Sequence, residues 1–523
     1  MFSESDAQAL RCLSLAVRFH QGGRLAEAEE LYRTVLEMAP DEADALHLSG
    51  LIAYQSGDAA RGAVLIGRAV RLRRTPEFLC NYGLALDGAG RWAEAAAAGR
   101  AAVALAPDLT EAHLNLGNAL NGLERFEDAA IALRRATALR PGEAKAHCSL
   151  GYALEQQDRL PEAEAAYRTA AGLLPSLGEA WANLGRVLNE LGRAPEALEA
   201  FRAAVRARPS NAKDHWNLAL ALLLNGQLAE GFAEYEWRWL YDAFPSPRRR
   251  FAQPLWAGEP LAGRTILLHA EQGLGDAIQF ARYAPVVAHL GGRVVLEVHA
   301  PLRRLFGGLG GVSALATLGG ALPDFDLHCP LLSLPRLVGS IPTDVPYLSV
   351  EADAVAAWRE RLGDGVKVGL VWAGNPGHAN DRNRSAPLTA LEPLLRTPGV
   401  RFFSLQKAPR PGDRETMAEL GVVDLGPDLD DFADTAAALT ALDALVTVDT
   451  SVAHLAGALG RPVWLLLPFV PDWRWMMHGD DSPWYPTMRL FRQAVAGDWE
   501  PVCRRVAEHL FRHLSPNGTR ADF

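Results

Sequence analysis

Residues 115–148 read NLGNALNGLERFEDAAIALRRATALRPGEAKAHC, and the pattern returns without a gap over residues 149–182 and 183–216. Gly83, Gly117, Gly151 and Gly185 recur every 34 residues, as do Pro107, Pro141, Pro175 and Pro209, and Ala95, Ala129, Ala163 and Ala197. A fixed period of this length marks stacked supersecondary units, each too small to bury its apolar face alone. Each period carries two helical patterns around a turn, so each unit is a helix–turn–helix. Glycine or alanine where paired helices cross allows close approach. The proline ends the second helix because it cannot continue the hydrogen-bond ladder.

These repeats resemble the tetratricopeptide repeat (TPR) family. The match extends less regularly upstream, to residues 22–40 and to the Gly50 unit, which is one residue short, and downstream to residues 217–239. About seven units are expected across residues 8–242. Such arrays bind partners and do not themselves do chemistry. Asn81, Asn115, Asn183 and Asn217 share one column of the first helix, interrupted by Ser149. In the similar superhelix of O-GlcNAc transferases that column lines the concave surface and grips the backbone of an acceptor, which implies an acceptor-binding role. An amide both donates and accepts, so it can hold a peptide group whatever side chain follows. The same amides could instead tie neighbouring helices together, since buried amides must be satisfied.

At roughly 150 residues per domain, 523 residues ask for about three domains. With 49% hydrophobic and 22% charged residues the chain can bury a large core, which excludes a disordered protein. A net charge of −10 without a basic stripe argues against nucleic acid or an anionic membrane surface as partner. The five cysteines are scattered and form no CxxC pair, which fits a reducing compartment. The N-terminal MFSESDAQAL lacks a basic flank followed by an apolar run, and no stretch approaches the ~20 apolar residues that span a bilayer. A cytoplasmic protein without membrane insertion is expected.

The repeat stops before FPSPRRRFAQPLWAGEPLAG, so residues 243–262 are read as an ordered connector with Arg248, Arg249 and Arg250 as a solvated run. Strand TILLHAE (265–271), the glycine turn QGLGDA and a helix leading to RVVLEVHA (293–300) make a β–loop–α–β unit. A second series begins at VKVGLVWAG (366–374), continues with RFFSLQK (401–407) and DALVTVDT (443–450), and passes through SVAHLAGALG into PVWLLLP (462–468). Short apolar strands alternating with helices indicate parallel sheets covered on both faces. The fold class is therefore multidomain, an all-α solenoid followed by an α/β module of two Rossmann-like lobes. The lobes are placed at 263–350 and 351–497, and a terminal helix at 498–515 is expected to return to the first lobe. Ligands in such sheets bind beyond the carboxyl ends of the strands.

EQGLGDAIQF, VDTSVAHLAGALGRPVW and the LLPFVPDWRW…DSPWYPTMRLFRQ…GDW tail resemble bacterial TPR-fused glycosyltransferases of the GT-B fold, related to lipopolysaccharide heptosyltransferases. The first lobe is short for a complete Rossmann unit, a departure that suggests that the solenoid completes the acceptor side. The resemblance implies an inverting, metal-independent transferase that uses a nucleotide sugar as substrate and needs no cofactor. Some TPR-fused members modify flagellin with nonulosonic sugars such as pseudaminic acid, which implies a protein acceptor held by the repeats. The family's catalytic aspartate sits in a GD motif matching Asp276, the expected general base. By its position alone Asp276 fits a helix cap better than a base, and the resemblance brings the two readings level.

The donor side is expected in the second lobe. Asp449, Thr450 and Ser451 end a strand and open a helix whose amides can receive a phosphate, and His454 lies one turn in. The family match favours a catalytic His454, although a histidine in an apolar helix is commonly a satisfied core residue. Arg384 and Lys407 supply cations against the phosphate, Gln406 reads base or ribose, and Asn375 shapes the loop after Gly374. Lys407 is one of four lysines amid 48 arginines. The acids of DLDD (428–431) are read as a helix entry rather than a DxD metal motif, and no metal site is expected. Trp473, Arg474 and Trp475 suit either stacking on a sugar or base, or core packing. Two other functions fit the same residues: transfer to a lipid-linked or polysaccharide acceptor, and a non-catalytic TPR scaffold with a degenerate transferase domain.

Overall fold

The computed structural model describes residues 4–514. Residues up to Ser210 form one compact body and those from Asn211 a second. The first body is an all-α TPR solenoid of six helix hairpins: Glu4–Gln21 with Leu25–Met38, Ala43–Gln55 with Ala59–Leu72, Pro76–Gly88 with Trp92–Leu105, Thr110–Gly122 with Phe126–Leu139, Ala144–Glu155 with Leu160–Leu173, and Gly178–Glu190 with Ala194–Ala207. The glycine column has a steric cause. A Cβ on Gly151 would stand 2.7 Å from the Tyr167 ring, one on Gly185 would stand 2.8 Å from Phe201, and one on Gly117 would collide with Leu133. Gly83 is the exception: the position 16 residues on, filled by Leu133, Tyr167 and Phe201 in the other units, is Gly99 here, and an added Cβ would meet nothing nearer than Ala95 O at 3.6 Å. Arg91, Arg125, Arg159 and Arg193 precede the second helices and pair with Glu94, Asp128, Glu162 and Glu196. Those acids also complement the helix N-terminal dipole, but exposed pairs of this kind are worth only about 0–1 kcal/mol each.

A seventh hairpin, Ala212–Leu224 with Leu228–Glu234 and the 3-10 turn Tyr235–Leu240, belongs to the second body. The division between compact bodies thus falls at residue 210, inside the repeat span of 8–242. The reason is packing: Phe232 meets Phe280 and Trp473 edge-on, with ring centroids 6.4 and 5.8 Å apart, and fully buried Arg238 pairs with Glu271. This hairpin shares its core with the sheets that follow it.

The rest of the second body is α/β with two all-parallel sheets. The first has strands β1 (Thr265–His269), β2 (Arg293–Val298), β3 (Val312–Thr317) and β4 (Leu327–Pro330) in the order β3-β2-β1-β4. The second has β5 (Val366–Val371), β6 (Val400–Ser404), β7 (Val423–Asp424), β8 (Ala444–Val448), β9 (Val463–Leu467) and β10 (Met488–Arg492) in the order β10-β9-β8-β5-β6-β7. The chain winds outward from β5 in one direction and from β8 in the other, the doubly wound dinucleotide-fold order, with its switch point between β5 and β8. Every residue of β8 and β9 is buried, as a sheet covered on both faces requires. In the first sheet the corresponding switch falls between β1 and β4.

Two expectations change. The C-terminal helix, Glu500–Leu514, packs on the second sheet rather than returning to the first. Its apolar stripe, Val502, Cys503, Val506 and Leu510, joins Val446, Trp464 and Leu466 in one core; the expected end at residue 515 lies outside the described residues. Nor is Arg249 solvated. It reaches the Glu297 carboxylate at 2.8 Å, because that fully buried β2 residue needs a cation. Arg248 and Arg250 are exposed. The connector itself is ordered, with buried Trp256 donating its backbone N–H to His328 O at 2.8 Å.

Candidate functional site

Asp276 occupies the third position of the Leu274–Ala281 helix, where its Oδ2 accepts the Gly273 N–H at 2.9 Å. The capping role is therefore real. The other oxygen, Oδ1, pairs with the Arg474 guanidinium, which also donates to Gln279 Oε1 at 2.9 Å and Asp472 Oδ1 at 2.8 Å. Asp276 and Arg474 are 198 residues apart, and each side chain is at least 86% buried. Burial pulls the Arg474 guanidinium down, but Asp472 and Asp276 outweigh it and hold it above the ordinary arginine value. The carboxylate is thus fixed from two sides while keeping further lone pairs to accept a proton.

The GLGD turn lies against the Ser451–Ala458 helix. A Cβ on Gly275 would stand 2.9 Å from His454 Cδ2 and 3.5 Å from Ser451 Cα, so close approach of the two helices demands a glycine there. His454 is buried, stacked on Trp475 with centroids 5.2 Å apart, and its Nδ1 lies 3.1 Å from the Tyr485 hydroxyl. Burial holds the ring well below the ordinary imidazole range, and Arg474 and Arg282 push the same way. A neutral His454 can accept or donate one hydrogen bond, but it brings no positive charge to a phosphate.

Beyond the β5/β8 switch point, Thr450 takes the N-cap position in extended backbone, with its Oγ1 3.3 Å from that of Thr447, and Ser451 starts the helix. Asp449 precedes them, its carboxyl pushed up to about 6 by burial and by Asp472, against the pull of Arg474 and Arg384. On the β5 side, a Cβ on Gly374 would stand 2.5 Å from the Arg384 guanidinium. Gly374 N–H is held by Ser385 Oγ at 3.0 Å, and Asp381 anchors both Ser385 and Arg410. Arg384 Nε lies 3.5 Å from Asp381 Oδ1 as an ion pair and has no hydrogen-bond partner among the described residues. Arg384 is a cation held beside a backbone kept bare by glycine.

Other candidates are used structurally. Gln406 Oε1 accepts the Ala373 N–H at 3.2 Å, bracing the end of β5. Lys407 Nζ ties down the carbonyls of Gly426 and Leu429. Asn375 Oδ1 closes a local turn onto Gly377 N–H at 2.9 Å. Asp431 of DLDD caps the Phe432–Ala441 helix, accepting from Ala433 N–H at 2.8 Å, and pairs with Arg304. Trp473 and Trp475 are buried core. Arg474 is the member of this cluster that the sequence reading placed least well. Its signal was an arginine two residues after an aspartate between two tryptophans, and only the fold brings it to Asp276.

In the solenoid, Asn81 Nδ2 lies 2.9 Å from His47 Nε2 and Asn115 Nδ2 donates to Cys80 O at 2.9 Å, so both tie their helix to the preceding repeat. Asn183 Oδ1 accepts from Arg186 at 3.4 Å. All three are half-buried, and each amide has a second polar atom beyond the one in these bonds. A cavity of about 350 Å³ lies where Ser149 interrupts the column, lined by Asn118, Asn121, Lys145, Tyr152 and Glu179 among others. Asn217, half-buried, belongs to the seventh hairpin and hence to the second body.

A model of the tetratricopeptide repeat matches residues 13–73, 50–110, 114–178 and 182–246. The chain thus carries TPR repeats, which as a class mediate protein–protein contacts. Protein FlbA of Caulobacter vibrioides (strain ATCC 19089 / CIP 103742 / CB 15) is 32% identical over 335 residues, which cover 56% of this chain and 54% of FlbA. The chain therefore spans about half the length of this curated relative. Among solved structures, a thermophilic TPR protein of Thermus thermophilus shares 23% identity, covering 35% of this chain and 99% of its own, with a TM-score of 0.32. PilW, a type IV pilus biogenesis factor, shares 20% identity over 41% of this chain and 98% of its own, with a TM-score of 0.37. No helix among the described residues is long and apolar enough to cross a membrane.

Proposed function

We propose that the chain is a protein glycosyltransferase of the GT-B class, moving a sugar from a nucleotide sugar to a hydroxyl of a protein captured by the TPR array. The observation that carries this reading is the convergence of Asp276, fixed by Arg474, on the helix that opens at the β5/β8 switch point. In the reaction, the acceptor oxygen attacks the anomeric carbon while its proton passes to Asp276. The bond from that carbon to the nucleotide phosphate breaks, and its electron pair leaves with the phosphate. Thr450, Ser451 and the helix amides receive the phosphate, with Arg384 as countercharge. Flagellin is the acceptor to test first and a nonulosonic sugar the first donor, on the TPR-fused resemblance.

The test is Asp276→Asn. General-base catalysis contributes about 10²–10⁴-fold, so the variant should lose transfer by that factor while binding the donor nucleotide as the parent does. Full activity in Asp276→Asn would end the assignment, and loss of nucleotide binding together with fold would make Asp276 a cap only.

A further inference from the structure

Two side chains of the seventh hairpin, Arg238 and Tyr235, bond to Glu271 and Gln272, the residues that lead into the GLGD turn. Arg238 donates to both oxygens of Glu271 at 2.9 Å, to Ser333 Oγ at 2.9 Å and to Glu236 Oε1 at 2.8 Å. Glu271 immediately precedes the turn and also accepts Leu332 N–H at 3.1 Å. One residue on, Gln272 donates from Nε2 to the Tyr235 hydroxyl at 2.6 Å and from its backbone N–H to Ser246 Oγ at 2.7 Å. Gln272 has φ +61°, a left-handed conformation that disfavours a side chain and persists only where surroundings enforce it. The Tyr235 ring also sits 6.3 Å from Trp473, the neighbour of Arg474. On the far side of Arg474, Met476 repeats the feature with φ +53°, and its sulfur would lie 3.7 Å from a Cβ added to Gly226 of the same hairpin. The two segments that deliver Asp276 and Arg474 each contain a strained non-glycine residue, and the hairpin touches both.

We infer that the seventh hairpin serves as the clamp that positions the Asp276–Arg474 pair, with Tyr235 as its positioning residue through Gln272 and Trp473. The inference rests on the glycosyl-transfer reading for its kinetic consequence, but its structural content does not. Tyr235 is buried, so the phenol lends a rigid apolar body to Trp473 and a single polar atom to Gln272. Removing that atom loosens the turn without emptying the core.

The experiment compares the full chain with Tyr235→Phe and with Gln272→Gly, which relieves the left-handed backbone but loses the side-chain anchor. Amide exchange of residues 272–277 should accelerate at least tenfold in Tyr235→Phe, with β8 and β9 unchanged. Turnover should fall about tenfold in both variants at unchanged donor KM and melting temperature. Unchanged exchange in the turn overturns the clamp whatever the activity. Faster exchange with full turnover also overturns the positioning role. If the parent chain itself transfers no sugar, the transferase reading fails, and the exchange result alone still decides whether the hairpin holds the turn.

Discussion

The two sheets offer the same kind of crevice and fill it differently. Past the β1/β4 switch point the chain supplies its own occupant: the Arg238 guanidinium, paired with Glu271 after β1 and Ser333 after β4, all buried. Past the β5/β8 switch point stand Gly374, a helix N-terminus without a side-chain cap and an arginine whose Nε lacks a hydrogen bond, both among the described residues. Identical topology therefore does not mean identical use. The first crevice is filled by a joint next to the turn carrying Asp276, and the second keeps the helix N-terminus and cation on which the proposed donor site rests.

The largest effect should come from breaking the joint. Glu271→Ala strips the buried Arg238 of its bidentate partner and leaves it Glu236 as an acid partner, and should lower the unfolding free energy by up to about 3–5 kcal/mol in urea denaturation. If instead it abolished nucleotide binding at unchanged stability, the first crevice would be the ligand site and the contrast would fail. Arg384→Ala should do the reverse. Hydrogen bonds to charged groups are worth about 1.5–3 kcal/mol, so nucleotide affinity by calorimetry should fall about 10–100-fold at an unchanged melting temperature.

A pH titration sharpens the contrast with a smaller effect. Asp449 is raised to about 6 in the folded chain, against about 3.9 unperturbed. A raised carboxyl contributes stability that is fully present below its unfolded value and is lost as pH rises through the folded one. Stability should therefore decline between about pH 4 and pH 7, and Asp449→Asn should remove that part of the decline. Nucleotide affinity should follow the same direction by a few-fold, since the protonated carboxyl no longer repels a phosphate. The variant corrects for titration of the phosphate itself.

The smallest effect lies in the solenoid, and it shows what the sequence can convey. The 34-residue period made the hairpins legible, because repetition reports the same local packing many times over. It could not reveal that at Gly83, alone of the column from Gly83 to Gly185, an added Cβ has room. Gly83→Ala should stabilise by about 0.4–1 kcal/mol, measured by thermal unfolding, whereas Gly185→Ala meets Phe201 and should destabilise. Asp276 and the Asp449–Ser451 helix entry were legible because strand ends and glycine turns have local signatures. Arg474 and Arg238 were not, since their partners lie 198 and 33 residues away and burial is a property of the fold. The partners of Gln406 and Lys407 were hidden for the same reason: their polar atoms hold backbone of other segments, at Ala373 and Gly426. The seventh repeat kept the sequence pattern of a solenoid while its aromatic end was turned into core for the sheets.

The most direct measurement is the amide-exchange footprint of the full chain with UDP, GDP, ADP and CMP in turn. One nucleotide should slow exchange at Gly374 and at Thr450 through Ala453, and leave Leu332 and Gln272 unchanged. Protection around Leu332 and Gln272 instead, or none from any nucleotide, would contradict the account.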